Sequence, residues 1–464
     1  MVQFDRQLAE IRFGYGLSPL VPGPTDVDAM LRGLQGPDAI VDRFPIEPFS
    51  IFRQRMVAVR EQITIRRKNR GTPAAAAARK QRNVLNKEAR IAMFEWLGQT
   101  MLRRAHTPTA FRERLVAFWA DHFTALGKAG VARRATSPYI EDAIRPNLNG
   151  NFADLLQATV MHPLMLDYLD QIQSMGPESE RAAKMGPKKK RGLNENLARE
   201  VMELHTLGVD GPYTQEDVTQ LAELFTGMSF QPRNGFKFRK DFVEPGAETV
   251  LGKTYPDAYN VAPVRAVLTD LATHPATTRH IAHKLAVHFV TDDPDPDLVD
   301  HIEAAFAKSG GELMSLYEAL VTHPAAWAPQ LVNFKPPIDF VSSSLRGLGL
   351  PDGAFAAFTE RDFRQVFATG LVLMGQQWER PGGPDGWPEE DGEWITPQGL
   401  AARVRWAMVM PQRIMGGALP DPREFVETAL GRHGNDAVRF AAAAAESKPE
   451  AIGLVLMSPA FQRR

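Results

Sequence analysis

Apolar residues recur at intervals of three and four along most of the chain, which is the spacing that places them on one face of an α-helix. The pattern is clear in the segments DVDAMLRGLQG, KEARIAMFEWLGQTMLRRA, FRERLVAFWADHFTAL and LAARVRWAMVM. Proline and glycine mostly separate such segments instead of interrupting them. The sequence therefore predicts a mainly α fold, in which many helices pack into a single large domain that spans residues 1 to 464.

Three segments differ from this helical pattern. Residues 228 to 252 alternate aromatic and β-branched side chains with polar ones and contain Asn-Gly and Pro-Gly turn signals, so we expect one small β-hairpin there. Residues 65 to 82 and 174 to 192 are predicted to be mobile, the first as a frayed helix or a loop. The basic run KKKR at 188 to 191 is interpreted as solvated charge, with anion or nucleic-acid binding as the weaker alternative.

The balance of charge disfavours some partners. The chain carries 54 lysine and arginine residues against 55 aspartate and glutamate residues, a formal net charge of -1. No overall field attracts nucleic acid or an anionic membrane, so we expect neither as a partner. There is no cysteine, which removes disulfides, thiolate metal sites and a cysteine nucleophile.

The N-terminal segment MVQFDRQLAEIRFGYG has charges close to its start and no apolar run of the length that a signal peptide needs. No stretch approaches the roughly 20 apolar residues of a membrane-spanning helix. We therefore expect a soluble protein in the cytoplasm, with the periplasm as the alternative.

The densest polar motif is NENLAREVMELHTLGVDGPYTQEDV, at 194 to 218. Its spacing predicts a helix from 194 to 207, which Asn194 caps and Gly208 ends in a left-handed conformation. A turn follows, and then a second helix that begins with a capping-box pattern.

One stripe of the predicted helix carries an amide, a guanidinium and two carboxylates, at Asn196, Arg199, Glu200 and Glu203. Two carboxylates one turn apart repel, so we expect Arg199 or a bound divalent cation to neutralise them. The arrangement suits an acid/base pair or a hard metal ion. The alternative is a surface or half-buried ion-pair network of little consequence. His205 points away from this stripe.

Candidates for substrate binding lie mainly outside the stripe. Trp378 and Trp387 occur in glycine- and proline-rich loops, where tryptophan either contacts sugars or packs the loop. Gln376, Lys335 and Tyr213 are the accompanying polar candidates. The chain has no G-x-S-x-G elbow, phosphate-binding loop or dinucleotide fingerprint, which disfavours the corresponding hydrolases, nucleotide hydrolysis and nicotinamide chemistry.

The segment NENLAREVMELHTLGVDGPYTQEDVTQLAELFTGMSF closely resembles the signature of a bacterial family catalogued as domain of unknown function 1800. The similarity continues in EIRFGYG, FWADHF, HPLMLDYLD, HPATTRHIAHKLAVHFV, NFKPPIDF and GQQWERPGGPDGWP, so it covers nearly the whole chain. Where many relatives have His-Asp before a glycine, this chain reads VEPG at 243 to 246, so no role of that histidine carries over.

The resemblance implies a mainly helical protein, often exported, that is encoded beside proteins of the phosphatase and sulfatase class. It also makes a buried polar network the leading interpretation of the stripe, because a motif so rich in polar residues is hard to explain by a solvated surface.

The sequence is compatible with two functions. In the first, the chain is a hydrolase or lyase of a polar polymer such as a carbohydrate. Glu200 and Glu203 then act as acid and base or hold a divalent cation, while Arg199 positions an anionic group and Asn196 orients a carboxylate. Carboxylates on one helix lie closer than glycosidases usually need, so the second carboxylate comes from elsewhere, such as Asp121, in a variant of this hypothesis.

In the second, the chain is a non-catalytic helical scaffold or a maturation partner of a neighbouring phosphatase- or sulfatase-like protein. A pocket that reaches Glu200 from solvent favours the enzyme, and a sealed network with an exposed apolar patch elsewhere favours the scaffold.

Overall fold

Helices make up most of the protein in a computed structural model, which describes residues 4–185 and 192–464. The mainly α prediction is confirmed. Within the described residues there are two small sheets, each of two antiparallel strands, and no helix has both the length and the apolar composition needed to cross a membrane. The basic run at 188 to 191 lies outside the described residues.

A long helical hairpin projects from the first part of the chain. The helices Phe49–Lys68 and Pro73–His106 pack side by side and are joined by a short turn, in which Gly71 has a φ of +79°. We call this hairpin the arm. Residues 65 to 82, which were expected to be mobile, form the end of its first helix, the turn and the start of its second helix. The other α-helices before the central motif are Arg6–Arg12, Val27–Gln35, Ile40–Arg43, Ala110–His122, Thr136–Tyr139, Phe152–Val160, Pro163–Tyr168 and Glu180–Ala183.

The second half of the chain is also helical. After the central motif the α-helices are Gln215–Leu224, Ala262–Ala272, Pro275–Phe289, Pro296–Lys308, Leu313–Thr322, Pro337–Gly347, Glu360–Phe363, Thr369–Leu373, Asp391–Trp394, Pro397–Met415, Pro422–Leu430, Asp436–Ala444, Lys448–Met457 and Pro459–Gln462. Wider π-helical turns occur at Ile140–Ile144, Val201–His205 and Arg364–Ala368.

Histidine followed by proline begins several of these elements. The ring Nδ1 of His162, His274 and His323 accepts the backbone N–H two residues later, at 3.1, 3.1 and 3.3 Å. Proline fits the first helical position because its missing N–H has no partner there. The His-Pro pairs in HPLM and HPATT are therefore helix starts.

The β structure near 228 to 252 forms two hairpins, where the sequence suggested one. Met228–Gln231 pairs with Gly235–Phe238, and Glu248–Val250 pairs with Lys253–Tyr255. The first hairpin turns at the predicted Asn-Gly signal, whereas the Pro-Gly signal lies in the connection between the hairpins. The second turns at a leucine and a glycine with positive φ, the conformation of a tight hairpin turn.

Two clusters of buried apolar side chains meet along the helix Pro73–His106. Its Ala89 and Trp96 belong to a cluster that gathers helices up to residue 327, and its Leu97 and Met101 belong to a cluster built mostly from residues 340 to 461. A cavity of about 170 Å³ lies between the two clusters. Its walls combine the helix Ala110–His122 with loops from the second half of the chain.

Candidate functional site

The central motif forms a helix whose polar face is only partly covered. The α-helix Asn196–Glu200 continues as the π-helical turn Val201–His205, and it begins two residues later than predicted. The Asn194 side chain accepts the Asn196 N–H at 2.9 Å, and Gly208 has the expected positive φ of 89°.

The expectation of a buried polar network in this motif is wrong. Asn196 is exposed, and the side chains of Arg199 and Glu203 keep 38% and 26% of their surface accessible. Arg199 contacts Glu203 at 3.2 Å, Glu195 at 3.4 Å and the side-chain oxygen of Gln215 at 2.7 Å. Half-exposed ion pairs of this kind contribute about 0.2–1 kcal/mol to stability.

Glu200 and Tyr213 flank this ion-pair network. Burial, Glu203 and Asp385 together raise the pKa of Glu200. The Tyr213 hydroxyl donates to the carbonyl of Val209 at 2.9 Å and closes the turn after the helix. The structure thus places Tyr213 in the turn that follows the motif helix and not in the cavity wall.

The buried side of the motif helix is held by histidines. His122 Nε2 lies 3.3 Å from the carbonyl of His205, and His280 Nε2 lies 3.2 Å from the carbonyl of Leu204. Carbonyls at a helix end have no partner in the helix, so these rings supply the missing donors. Burial lowers the pKa of His280 to about 4 and that of His205 to about 3, so both rings are neutral at neutral pH.

These histidines do not form a metal site. Throughout residues 4–185 and 192–464, no group of three or more His, Asp or Glu side chains is arranged to hold a metal ion. His122 and His280 instead stabilise the end of the motif helix through these carbonyls. The pattern around His122 gave no sequence signal for this contact, because the partner carbonyl is 83 residues away.

The cavity brings together three of the five predicted substrate-binding residues. Trp378, Trp387 and Gln376 line it. Gln376 also accepts the backbone N–H of Ile338 at 2.7 Å, which fixes the start of the helix Pro337–Gly347. Lys335 lies behind the wall, where its ammonium donates to the carbonyl of Phe461 at 2.7 Å. Burial lowers the pKa of Lys335 to about 7.

Asp121 lies in the cavity at the end of the helix Ala110–His122. Its two carboxyl oxygens are 3.0 and 3.2 Å from the backbone N–H of Trp387. Gly386 has a φ of 85°, and a Cβ atom there would lie 2.5 Å from the Asp121 carboxyl group. Burial and the nearby Glu389 raise the pKa of Asp121 to about 8, despite the Trp387 N–H and Lys284, so the carboxyl group is protonated at neutral pH.

Glu389, in the same cavity, has the opposite protonation state. Its Oε1 is 2.7 Å from His288 Nδ1, and His288 Nε2 is 3.0 Å from a guanidinium nitrogen of Arg114. Arginine can only donate, so His288 is a neutral ring that accepts from Arg114 and donates from Nδ1 to Glu389. Although burial raises the pKa of Glu389, the Nδ1–H of His288 and the charges of Arg464 and Lys284 outweigh burial and lower it.

The neutrality of His288 also fits its burial, which lowers the pKa of this ring to about 4 in spite of Glu389. A pair of a charged imidazolium and a carboxylate therefore does not explain both pKa shifts, that of His288 and that of Glu389. The cationic groups Arg464 and Lys284, together with the Nδ1–H donor, therefore keep Glu389 ionised.

Glu379 is a third carboxyl group in the cavity wall. It is one of three non-glycine residues with positive φ among those described, at 48°, and it accepts a hydrogen bond from the Ser137 hydroxyl. Burial raises its pKa to about 7, although Ser137 opposes the shift. A strained conformation that aims a buried carboxyl group into a cavity is typical of a functional site.

The floor of the cavity is built from paired charges. Asp339 accepts from Arg114 and Arg464, while Arg104 lies 3.7 Å from it. Burial raises the pKa of Asp339, but these guanidinium groups outweigh it and hold the pKa well below the usual range. Two further bidentate pairs, Arg103 with Glu141 and Arg145 with Glu113, have donor–acceptor distances between 2.7 and 3.1 Å.

Sequence reasoning missed most of this constellation. It singled out Trp378 and Trp387 but passed over Glu379 and Glu389 in the same loops, and it named Asp121 only as an alternative carboxylate. The sequence signal that could have identified Glu379 and Glu389 is that each lies within two residues of one of those tryptophans. Asp121 is more than 250 positions before Glu379 and Glu389 in the chain, and the periodicity of apolar residues reports only on neighbours within one element.

The structure defines a mainly α-helical protein with a carboxyl-rich cavity at the junction of two apolar clusters. The chain belongs to the family described as protein of unknown function (DUF1800), whose family model matches residues 10–463. No curated protein and no solved structure matches the chain significantly.

Proposed function

We propose that the chain is a hydrolase or lyase of a polar polymer such as a carbohydrate, with Asp121 as acid and Glu389 as base. The observation that carries the proposal is that, among the carboxyl groups of the cavity, the protonated Asp121 lies close enough to the ionised Glu389 for the two to influence each other. Carboxyl groups whose pKa values are pushed apart can take the two roles of acid/base catalysis. Trp378 and Trp387 supply flat apolar faces for sugar rings.

The protons balance in either reaction. In hydrolysis, Asp121 gives its proton to the leaving-group oxygen as the C–O bond breaks, and Glu389 accepts a proton from the water that attacks the carbon. In elimination, Glu389 instead accepts the proton of a C–H bond, a C=C bond forms as the C–O bond breaks, and Asp121 gives its proton to the departing oxygen. His288 is a positioning residue, because it holds the Glu389 carboxylate on one side and contacts Arg114 on the other.

Catalysis by Glu200 and Glu203, with Arg199 and Asn196 in support, stays a prediction from the sequence. The charge of Asp385 acts on both Glu200 and Asp121, so both carboxyl groups lie near the loop that carries Asp385. Substitutions at the two carboxyl groups therefore separate the two proposals.

The test is turnover of a polysaccharide panel that includes neutral, carboxylated and sulfated polymers. New reducing ends report hydrolysis or elimination, and ultraviolet absorbance of the new double bond reports elimination alone. We expect Asp121→Asn and Glu389→Gln to lower kcat by about 10²–10⁴-fold, the usual contribution of a positioned acid or base.

Matched controls are Asp154→Asn and Glu318→Gln, which make the same chemical changes at exposed helix positions. Both should retain wild-type turnover. Retained activity in Asp121→Asn together with its loss in Glu200→Gln would transfer the reaction centre to the motif helix.

The scaffold role is the second candidate. Exposed apolar side chains on two neighbouring helices favour it, with Val372 on Thr369–Leu373 at 51% exposure and Val409 on Pro397–Met415 at 50%. Exposed apolar side chains that lie together on a surface often mark protein interfaces. If no polymer in the panel is cleaved by the wild-type chain, a complex with a phosphatase- or sulfatase-like protein becomes the working proposal.

A further inference from the structure

Positive charge is concentrated in one part of a nearly neutral chain. Residues 60 to 90, which include the tip of the arm, contain ten lysine or arginine residues and two glutamates, whereas the whole chain has a net charge of -1. Of these ten cations, Arg90 pairs with Glu360, and the others form no ion pair with a carboxylate in the described parts of the chain. Such unpaired charge creates a local field that attracts anions.

One side of the arm forms a groove with the turn Gly130–Arg134. We call it the basic groove. Its polar lining consists of four cations and two amides and contains no carboxylate within the described chain; these residues are Arg82, Asn83, Asn86, Lys87, Arg90 and Arg134. Guanidinium and amide groups are suited to carboxylate, sulfate and hydroxyl oxygens.

Arg134 is held in place but not neutralised. One of its terminal nitrogens donates to the Gly130 carbonyl at 3.1 Å, and its buried Nε has no hydrogen-bond partner among the described residues. Burial and the charges of Arg380, Arg90 and Arg133 lower the pKa of Arg134. Like charges gathered in this way are stabilised when an anion binds between them.

The basic groove adjoins the cavity. Arg380 donates to the carbonyl of Arg133 at 3.1 Å, which ties the cavity loop to the groove turn. Glu379 and Pro381, on either side of Arg380, line the cavity, as does Ser137 shortly after the groove turn. The basic groove and the cavity are thus connected by adjacent residues of the same loop and turn.

We propose that the basic groove binds the anionic groups of an acidic polysaccharide and leads this polymer to the cavity. The inference deepens the proposed function and rests on it for the fate of the polymer, but the binding step stands by itself. A single-stranded nucleic acid fits less well, because residues 53 to 93 contain no aromatic side chain on which bases could stack.

The test measures binding of fluorescent dextran, carboxymethyl dextran and dextran sulfate to the full chain carrying Asp121→Asn, so that turnover plays no part. We expect both anionic dextrans to bind and neutral dextran to bind at least about tenfold more weakly, with affinity that falls as salt rises. The groove variant Arg82→Gln/Lys87→Gln/Arg134→Gln should lose about tenfold or more in affinity and show a shallower salt dependence.

The tip variant Arg67→Gln/Lys68→Gln/Arg70→Gln removes the same number of charges away from the groove and is the matched control. It should stay within about threefold of the parent, and the charge-conserving lysine version of the groove variant should recover most of the binding. Equal losses in both triple variants overturn the proposal, as does tighter binding of duplex DNA or of anionic phospholipid vesicles than of dextran sulfate. Binding of acidic dextrans, together with no turnover of any polymer in the panel by the wild type, would sink the proposed function and leave this inference standing.

Discussion

The outer face of the central motif and the cavity both gather carboxylate and guanidinium groups, but they differ in what surrounds those groups. On the motif, Arg199 shares its charge among Glu195, Glu203 and Gln215 on a half-exposed surface. In the cavity, Asp339 is 5% exposed and lies among several guanidinium groups. Water screens the charges on the motif surface, whereas the buried charges of the cavity interact strongly with one another.

The comparison also shows that the sequence motif with the most charged residues is not the most deeply buried cluster of charges in the protein. The motif is conspicuous because its charged residues are adjacent in sequence, yet much of its composition has a structural explanation. Asp217, for example, completes the capping box with Thr214 and accepts the N–H of Leu251 at 2.7 Å, which positions the second hairpin turn. Acid/base catalysis needs titratable groups whose pKa values are shifted by burial and by nearby charges. In this protein such groups lie where segments distant in sequence meet.

Among tests of this contrast, removal of the Asp339 carboxylate should change stability the most. Asp339→Ala should lower the free energy of unfolding by about 3–5 kcal/mol, because Arg114 and Arg464 would remain buried without their shared anion. Urea unfolding followed by circular dichroism measures the change.

Asp154→Ala, on an exposed position, is the control and should change stability by less than about 0.5 kcal/mol. A loss below about 1 kcal/mol in Asp339→Ala would mean that the cavity floor is as well screened as the motif surface.

The fold was predictable where local physics decides it. Helical periodicity, proline at helix starts and the Asn-Gly turn each act within a few residues, so the mainly α class and the first hairpin followed from the sequence. The second hairpin was missed because its turn uses Leu251 at a φ of 49°, a conformation for which leucine gives no signal.

The candidate site was predictable only in fragments. Trp378 and Trp387 were found from loop composition, but the pairing of Asp121 with Glu389 depends on how the two apolar clusters meet. Burial was likewise invisible from periodicity, so the polar stripe of the motif was expected inside the protein and lies at its surface. Solvent access is a property of the assembled tertiary structure, whereas a one-dimensional pattern reports only which face is polar.

An effect of intermediate size is expected in the pH dependence of stability, to which Asp121 in the cavity should contribute. Because the folded pKa of Asp121 is raised to about 8, the folded chain keeps a proton that the unfolded chain releases above its ordinary pKa. The stabilising contribution is complete at low pH and is lost progressively as pH rises to about 8, by up to about 1.4 kcal/mol per pH unit.

Asp121→Asn cannot titrate, so wild-type stability should fall relative to this variant between about pH 4 and pH 8 and level off above that range. Chemical denaturation at a series of pH values gives the difference. Glu200→Gln, whose carboxylate is less buried, should show a smaller trend in the same direction. Parallel curves for the wild type and Asp121→Asn would show that Asp121 is ionised in the fold and would remove it as the acid.

The smallest expected effect belongs to the motif surface. Glu203→Gln should lower the free energy of unfolding by no more than about 0.5 kcal/mol, because Arg199 retains Glu195 and Gln215 as partners and water screens what remains. Thermal or urea unfolding at low and high salt measures it, and the difference should shrink further as salt rises. A loss above about 2 kcal/mol, or loss of turnover with stability intact, would show that the half-exposed stripe acts as more than a surface ion-pair network. Glu200 and Glu203 would then replace Asp121 and Glu389 as the leading acid and base.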